Sequence, residues 1–65
     1  MSQHEAVNAL SKAERMEVFQ ALVEAQDGAM TLAQSREAVG KRFKVRDWQV
    51  RQIEREGLDG EWPPL

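Results

Sequence analysis

Apolar residues recur at helical spacing in three places along the chain. Met16, Phe19, Leu22, Val23 and Ala25 fall on one side of a first helix. Leu32, Ser35, Val39 and Phe43 form a second stripe, and Val50 and Ile53 a third, because residues three or four apart share a helix face. No stretch alternates with the two-residue period of a half-buried strand, so the chain is predicted to be all-α. Two starts are marked by capping boxes, Ser11-Lys12-Ala13-Glu14 and Thr31-Leu32-Ala33-Gln34. In each, the hydroxyl accepts from a free backbone N–H and the Glu or Gln side chain reaches back. Asp27-Gly28 is read as a stop, with Gly28 expected in a left-handed conformation. Gly57 is read as another, with Leu58 folding back as the apolar contact of a cap. The pattern predicts helices near residues 11–27, 31–43 and 47–56. Their expected core is Phe19, Leu22, Val39, Phe43, Val45, Val50 and Ile53. Residues 1–10 read as a loose or briefly helical lead-in, 11–58 as the helical body and 59–65 as an extended tail, all within one domain.

Size and charge narrow the picture. A chain of 65 residues buries only about 60% of the surface its unfolded form exposes, so its core is thin and its stability marginal. A buried enzyme pocket is not expected in so little material. The sequence has no cysteine and one histidine, His4, too few for a zinc site or for a nucleophile–base–acid set. Catalytic residues, a metal and a cofactor are therefore all expected to be absent. The first residues lack the basic-then-apolar pattern of a signal peptide, and no apolar run approaches the roughly 20 residues that cross a bilayer. Together with the lack of cysteine, this points to a cytoplasmic protein. The net charge is −2, which argues against an indiscriminate nucleic-acid binder. Its distribution is polarised: seven basic residues face three acidic ones between Arg36 and Arg55, a net of +4, and each flank carries −3. A localised positive face matters more to a phosphate backbone than the total does.

The segment Val39-Gly40-Lys41-Arg42-Phe43-Lys44-Val45, followed after four residues by Val50-Arg51-Gln52-Ile53-Glu54, reads as a helix end, a tight turn and a second helix. Val39, Phe43, Val45, Val50 and Ile53 make an apolar inside; Lys41, Arg42, Lys44, Arg46, Arg51 and Arg55 make a cationic outside. These residues resemble the C-terminal helix-turn-helix of bacterial primary sigma factors, the module that reads the −35 promoter element. Val39, Gly40, Phe43, Val45, Val50, Arg51, Gln52, Ile53 and Glu54 match the family pattern without a gap, as does Leu58, and the likeness spans about residues 35–58. It implies a helix-turn-helix fold and a third helix that enters the DNA major groove. Where the family opens that helix with Thr-Arg-Glu-Arg, this chain has Arg46-Asp47-Trp48-Gln49. Asp47 is therefore expected as the cap, and a Trp stands where a polar base-reading side chain is usual.

Two functions follow from this reading. In the first, the protein binds double-stranded DNA or contacts the transcription machinery. Lys41, Arg42 and Lys44 meet phosphates, and Arg46, Gln49, Arg51, Gln52 and Arg55 line the outward face of the third helix, where Arg suits guanine or phosphate and Gln suits adenine. Arg51 has a plainer alternative, an ion pair with Asp47 one turn earlier. One such module has a small footprint, so a dimer or a partner is expected to complete it. In the second, the chain is a protein-interaction module that docks through Trp48 and the tail, with Trp62 and Leu65 as contacts. Trp48 lies off the Val50–Ile53 stripe and is expected to be partly exposed. The tail Trp62-Pro63-Pro64-Leu65 either packs across its own helices, enlarging a thin core, or serves as a short ligand for a partner's groove.

Overall fold

The computed structural model describes residues 10–65; the expected lead-in of residues 1–10, apart from Leu10, lies outside them, and His4 with it. Three helices follow one another: α1, Lys12–Asp27; α2, Leu32–Phe43; α3, Asp47–Asp59. There is no strand among the described residues. Each helix packs against both others, giving a small all-α domain.

The starts of α1 and α2 form as their side chains dictate. The Ser11 Oγ accepts from the Glu14 N–H at 3.1 Å while the Glu14 Oε1 accepts from the Ser11 N–H at 2.9 Å. Thr31 and Gln34 repeat this at 3.1 and 3.0 Å. At α3 the cap position is Arg46 rather than Asp47. Arginine has no acceptor, so only the returning half forms: the Gln49 Oε1 accepts from the Arg46 N–H at 3.1 Å.

The helix ends differ from expectation. Gly28 has an ordinary φ of −83°, and Ala29 takes the left-handed region at φ 75°. The Met30 N–H then bonds the Ala25 carbonyl and the Ala29 N–H the Gln26 carbonyl, the double closure of a Schellman motif. The same reversal closes α2 through Lys44, φ 58°, with the Val45 N–H on the Gly40 carbonyl. It closes α3 through Glu61, φ 51°, with the Trp62 N–H on the Gly57 carbonyl. The helix passes through Gly57 to Asp59, so Gly57 is not a stop and Leu58 lies exposed on the last turn. The reason lies in packing. A Cβ on Gly57 would overlap the Phe19 ring; the glycine lets α3 and α1 approach closely.

The core is Val18, Phe19, Ala21, Leu22, Val39, Val50, Ile53 and Trp62. Burying each of the larger side chains contributes about 1.5–3 kcal/mol. Val18 and Ala21 join because the inward face of α1 is turned toward them; Met16 and Val23 are only half-buried, as are Phe43 and Val45 at the edge of the core. Trp62 meets Phe19 edge to face, with centroids 6.0 Å apart and planes at 89°. The tail is thus tied to the body, and the Leu65 N–H closes a turn on the Trp62 carbonyl at 3.0 Å.

Polar groups also lock the three helices together. Ser35 is fully buried, and its hydroxyl donates to the Leu32 carbonyl at 2.8 Å and accepts from the Gln26 Nε2 at 3.2 Å. The same Nε2 lies 3.4 Å from the Glu54 Oε2. The Glu54 Oε1 accepts from Arg36 Nε and Nη2 at 3.1 and 2.8 Å. One carboxylate on α3 therefore joins Gln26 of α1 to Arg36 of α2. A second cross-link pairs Arg15 of α1 with Glu56 of α3 at 3.0 Å.

Candidate nucleic-acid interface

α2, the three residues 44–46 and α3 form two helices joined by a short turn. At Gly40 a Cβ would come within 3.2 Å of the Val45 carbonyl oxygen, so the glycine allows the turn to lie against α2. Val45 plugs the turn from inside, half-buried against the core. This corner presents the residues singled out from the sequence.

They do not form one uniform cationic face. Lys41 lies 3.5 Å from Glu37, both well exposed. Arg51 lies 2.9 Å from Asp47 through its Nε, the plainer role open to it. Both pairs line a hollow of about 480 Å³ between α2 and α3. Arg42 turns the other way. Its guanidinium stacks over the Phe43 ring at 5.2 Å, and it borders a smaller hollow against Glu17, Gln20 and Glu24 of α1. Lys44 and Arg46 are exposed on the turn, and Gln52 and Arg55 on the outer face of α3. Among the described residues Arg42, Lys44, Arg46 and Arg55 have no acid within ion-pair distance.

Gln49 departs from the expected set: it is 5% exposed and cannot reach a base edge on the outward surface. It lies four residues before Ile53, which in turn lies four before Gly57, and all three share the inward stripe of α3. Its side chain is turned back to the Arg46 N–H. The signal was present in the sequence, since a Gln three residues after a helix start is the returning half of a capping box.

Of the docking residues, Trp48 is 46% exposed on the first turn of α3 and Leu65 is 60% exposed. Trp62 is 7% exposed. The expectation that it could serve a partner is corrected, because its ring is spent on Phe19. Sequence reasoning also missed Arg36 and Glu54 as a half-buried pair; Glu54 belongs to the Arg-Gln-Ile-Glu run, and its role is to hold the two helices of the corner together. Among the described residues no helix is long and apolar enough to cross a membrane.

Compared with known protein families, curated proteins and solved structures, the chain matches none.

Proposed function

We propose that this is a small helix-turn-helix protein that binds double-stranded DNA in transcription, with α3 entering the major groove. The observation that carries the reading is the corner between α2 and α3. Lys44 and Arg46 stand there without acid partners among the described residues, at the positive end of the α3 dipole, and Arg42, equally unpaired, projects from the last turn of α2 on the side toward α1. The exposed Gln52 continues along the outer face. The resemblance of residues 35–58 to the −35-reading module supports the same reading.

Unpaired cations meet phosphates without regard to sequence, whereas a Gln on the exposed face of α3 presents the two-point edge that fits adenine. Anisotropy titration of labelled duplex DNA over a salt series tests this. With three such cations, log affinity should fall with log salt at a slope of about −2 to −3. Lys44→Ala or Arg46→Ala should weaken every sequence alike, and Gln52→Ala should mainly relax sequence preference. A folded protein that binds no duplex at about 100 µM and low salt, the weak limit of non-specific DNA binding, would overturn the proposal.

A second reading, docking to another protein, draws on one observation: Trp48 is half-exposed where a base-reading residue is expected, and nearby Arg51 and Lys41 are already neutralised by Asp47 and Glu37. Under that reading Trp48→Ala abolishes capture of the partner and leaves DNA titrations unchanged.

A further inference from the structure

The corner between α2 and α3 does not use the far end of the groove between them. There Leu32 at the start of α2 and Leu58 on the last turn of α3 are 52% and 55% exposed, and both line one hollow of about 610 Å³. Scattered exposed leucines are ordinary on a soluble surface; two that share one hollow make a patch. The polar groups at its base are already engaged, Arg36 with Glu54 and Gln26 with Ser35. Two groups at its rim are not. Arg55 and Asp59 are four residues apart on α3, a spacing at which opposite charges commonly pair, yet neither has an ion-pair partner among the described residues. The hollow therefore sets two exposed leucines over a base of paired polar groups, with Arg51 already paired to Asp47 and one free cation and one free anion at the rim. That combination complements itself. A nucleic acid, bearing one sign of charge, fits it poorly.

We propose that this patch is the contact surface of a symmetric dimer of the chain, with the two-fold axis passing close to Leu58. A two-fold contact brings residue i against j and j against i. Antiparallel α3 helices packed about that axis set Leu58 and Leu32 of one protomer against the same patch of the other, and bring each Arg55 toward the acidic end of its partner helix. The placement has a second consequence. Trp48 lies ten residues before Leu58, so at 1.5 Å per residue the two α3 N-terminal halves point away from each other with about 30 Å between them. That is close to the roughly 34 Å that separates successive major-groove faces on one side of B-DNA. The dimer would present its two reading ends at the spacing of adjacent half-sites.

Sedimentation equilibrium of the full chain tests the contact itself, independently of DNA. Self-association to a dimer is expected, and Leu58→Glu or Leu32→Glu should weaken it at least about tenfold, the effect of some 1.4 kcal/mol. Both side chains are exposed, so circular dichroism should show the fold intact. Arg55→Asp should also weaken the dimer, and adding Asp59→Arg to that variant should restore it, which a merely structural role for Arg55 would not do. A protein that stays monomeric at about 1 mM, where even a weak millimolar pair is half formed, overturns the proposal; so does a Leu58→Glu variant that associates like the parent. A second measurement rests on the DNA reading above. Two half-sites about 10 base pairs apart, centre to centre, should bind more tightly than one, and Leu58→Glu should remove the gain. A dimer in sedimentation with no affinity for duplex leaves the contact standing and removes the DNA function.

Discussion

Replacing Gly57 with alanine separates packing from helix propensity, because the two act in opposite directions. Gly57 lies inside α3, two residues before its last helical residue, and its φ is not in the left-handed region. On propensity alone, alanine should stabilise such a position by about 1 kcal/mol. The new Cβ, however, overlaps three atoms of the Phe19 ring. Phe19 is 1% exposed and held edge-on by Trp62, so it has little room to move. Overpacking of this kind costs about 1–3 kcal/mol, and overlap with a confined ring belongs at or above the upper end. The net should be a loss of about 2 kcal/mol. For a domain of this size each kcal/mol moves Tm by about 4–8 °C, so Gly57→Ala should melt roughly 8–16 °C lower by far-UV circular dichroism. Phe19→Leu costs stability alone, but in the Gly57→Ala background it should cost much less, since the smaller side chain makes room for the methyl. An unchanged or raised Tm for Gly57→Ala would refute the close-approach argument. Two additive substitutions would assign the cost to the backbone instead.

Two further outcomes follow from the helix termini. Ala29 holds a left-handed conformation at φ 75° that costs an L-residue about 1–2 kcal/mol; Ala29→Gly should therefore stabilise the domain by up to about 1 kcal/mol after the added unfolded-state entropy, read as a higher urea midpoint at unchanged slope. Glu14 is held below the ordinary glutamate pKa, first by the Ser11 backbone N–H and then by the Ser11 hydroxyl, so its capping contribution is present above the unfolded-state pKa and is lost as pH falls through the lowered folded value; carbon-detected NMR titration should place its midpoint below that of an unfolded-chain glutamate, and a midpoint at or above it would contradict the capping geometry.

The helix starts were legible because their chemistry is local. Ser11 with Glu14 and Thr31 with Gln34 carry donor and acceptor within one turn. The ends were not, because glycine marks only one way to reverse a helix. Here the left-handed positions fall on Ala29, Lys44 and Glu61, and nothing in those side chains announces the conformation. Gly57 misled for the opposite reason: its missing side chain answers Phe19, a residue 38 positions away. Gln49 and Glu54 show the same limit at the candidate site. Gln49 is polar and is expected on the outer face, and Glu54 is given no contact by the pattern, yet one finishes a cap on the inward stripe and the other anchors a network across all three helices. A pattern of apolar and polar residues cannot distinguish a polar group that faces water from one whose partners come from another helix. Trp48 is exposed as its place off the Val50–Ile53 stripe predicts, and Lys44 and Arg46 are exposed because they lie on the turn between the two helices.

The contrasting surroundings of the two tryptophans give the protein its own optical instrument. The Trp62 indole is shielded from water and set against an aromatic ring, whereas nearly half of Trp48 meets solvent on the first turn of α3. The first should emit toward the blue and resist iodide; the second should emit toward the red and be quenched readily. In a Trp48→Phe variant the remaining emission reports whether the tail is seated on the body. In a Trp62→Phe variant it reports what approaches the start of α3. Folding and contact can thus be followed separately, in the same solution conditions and without attaching a label.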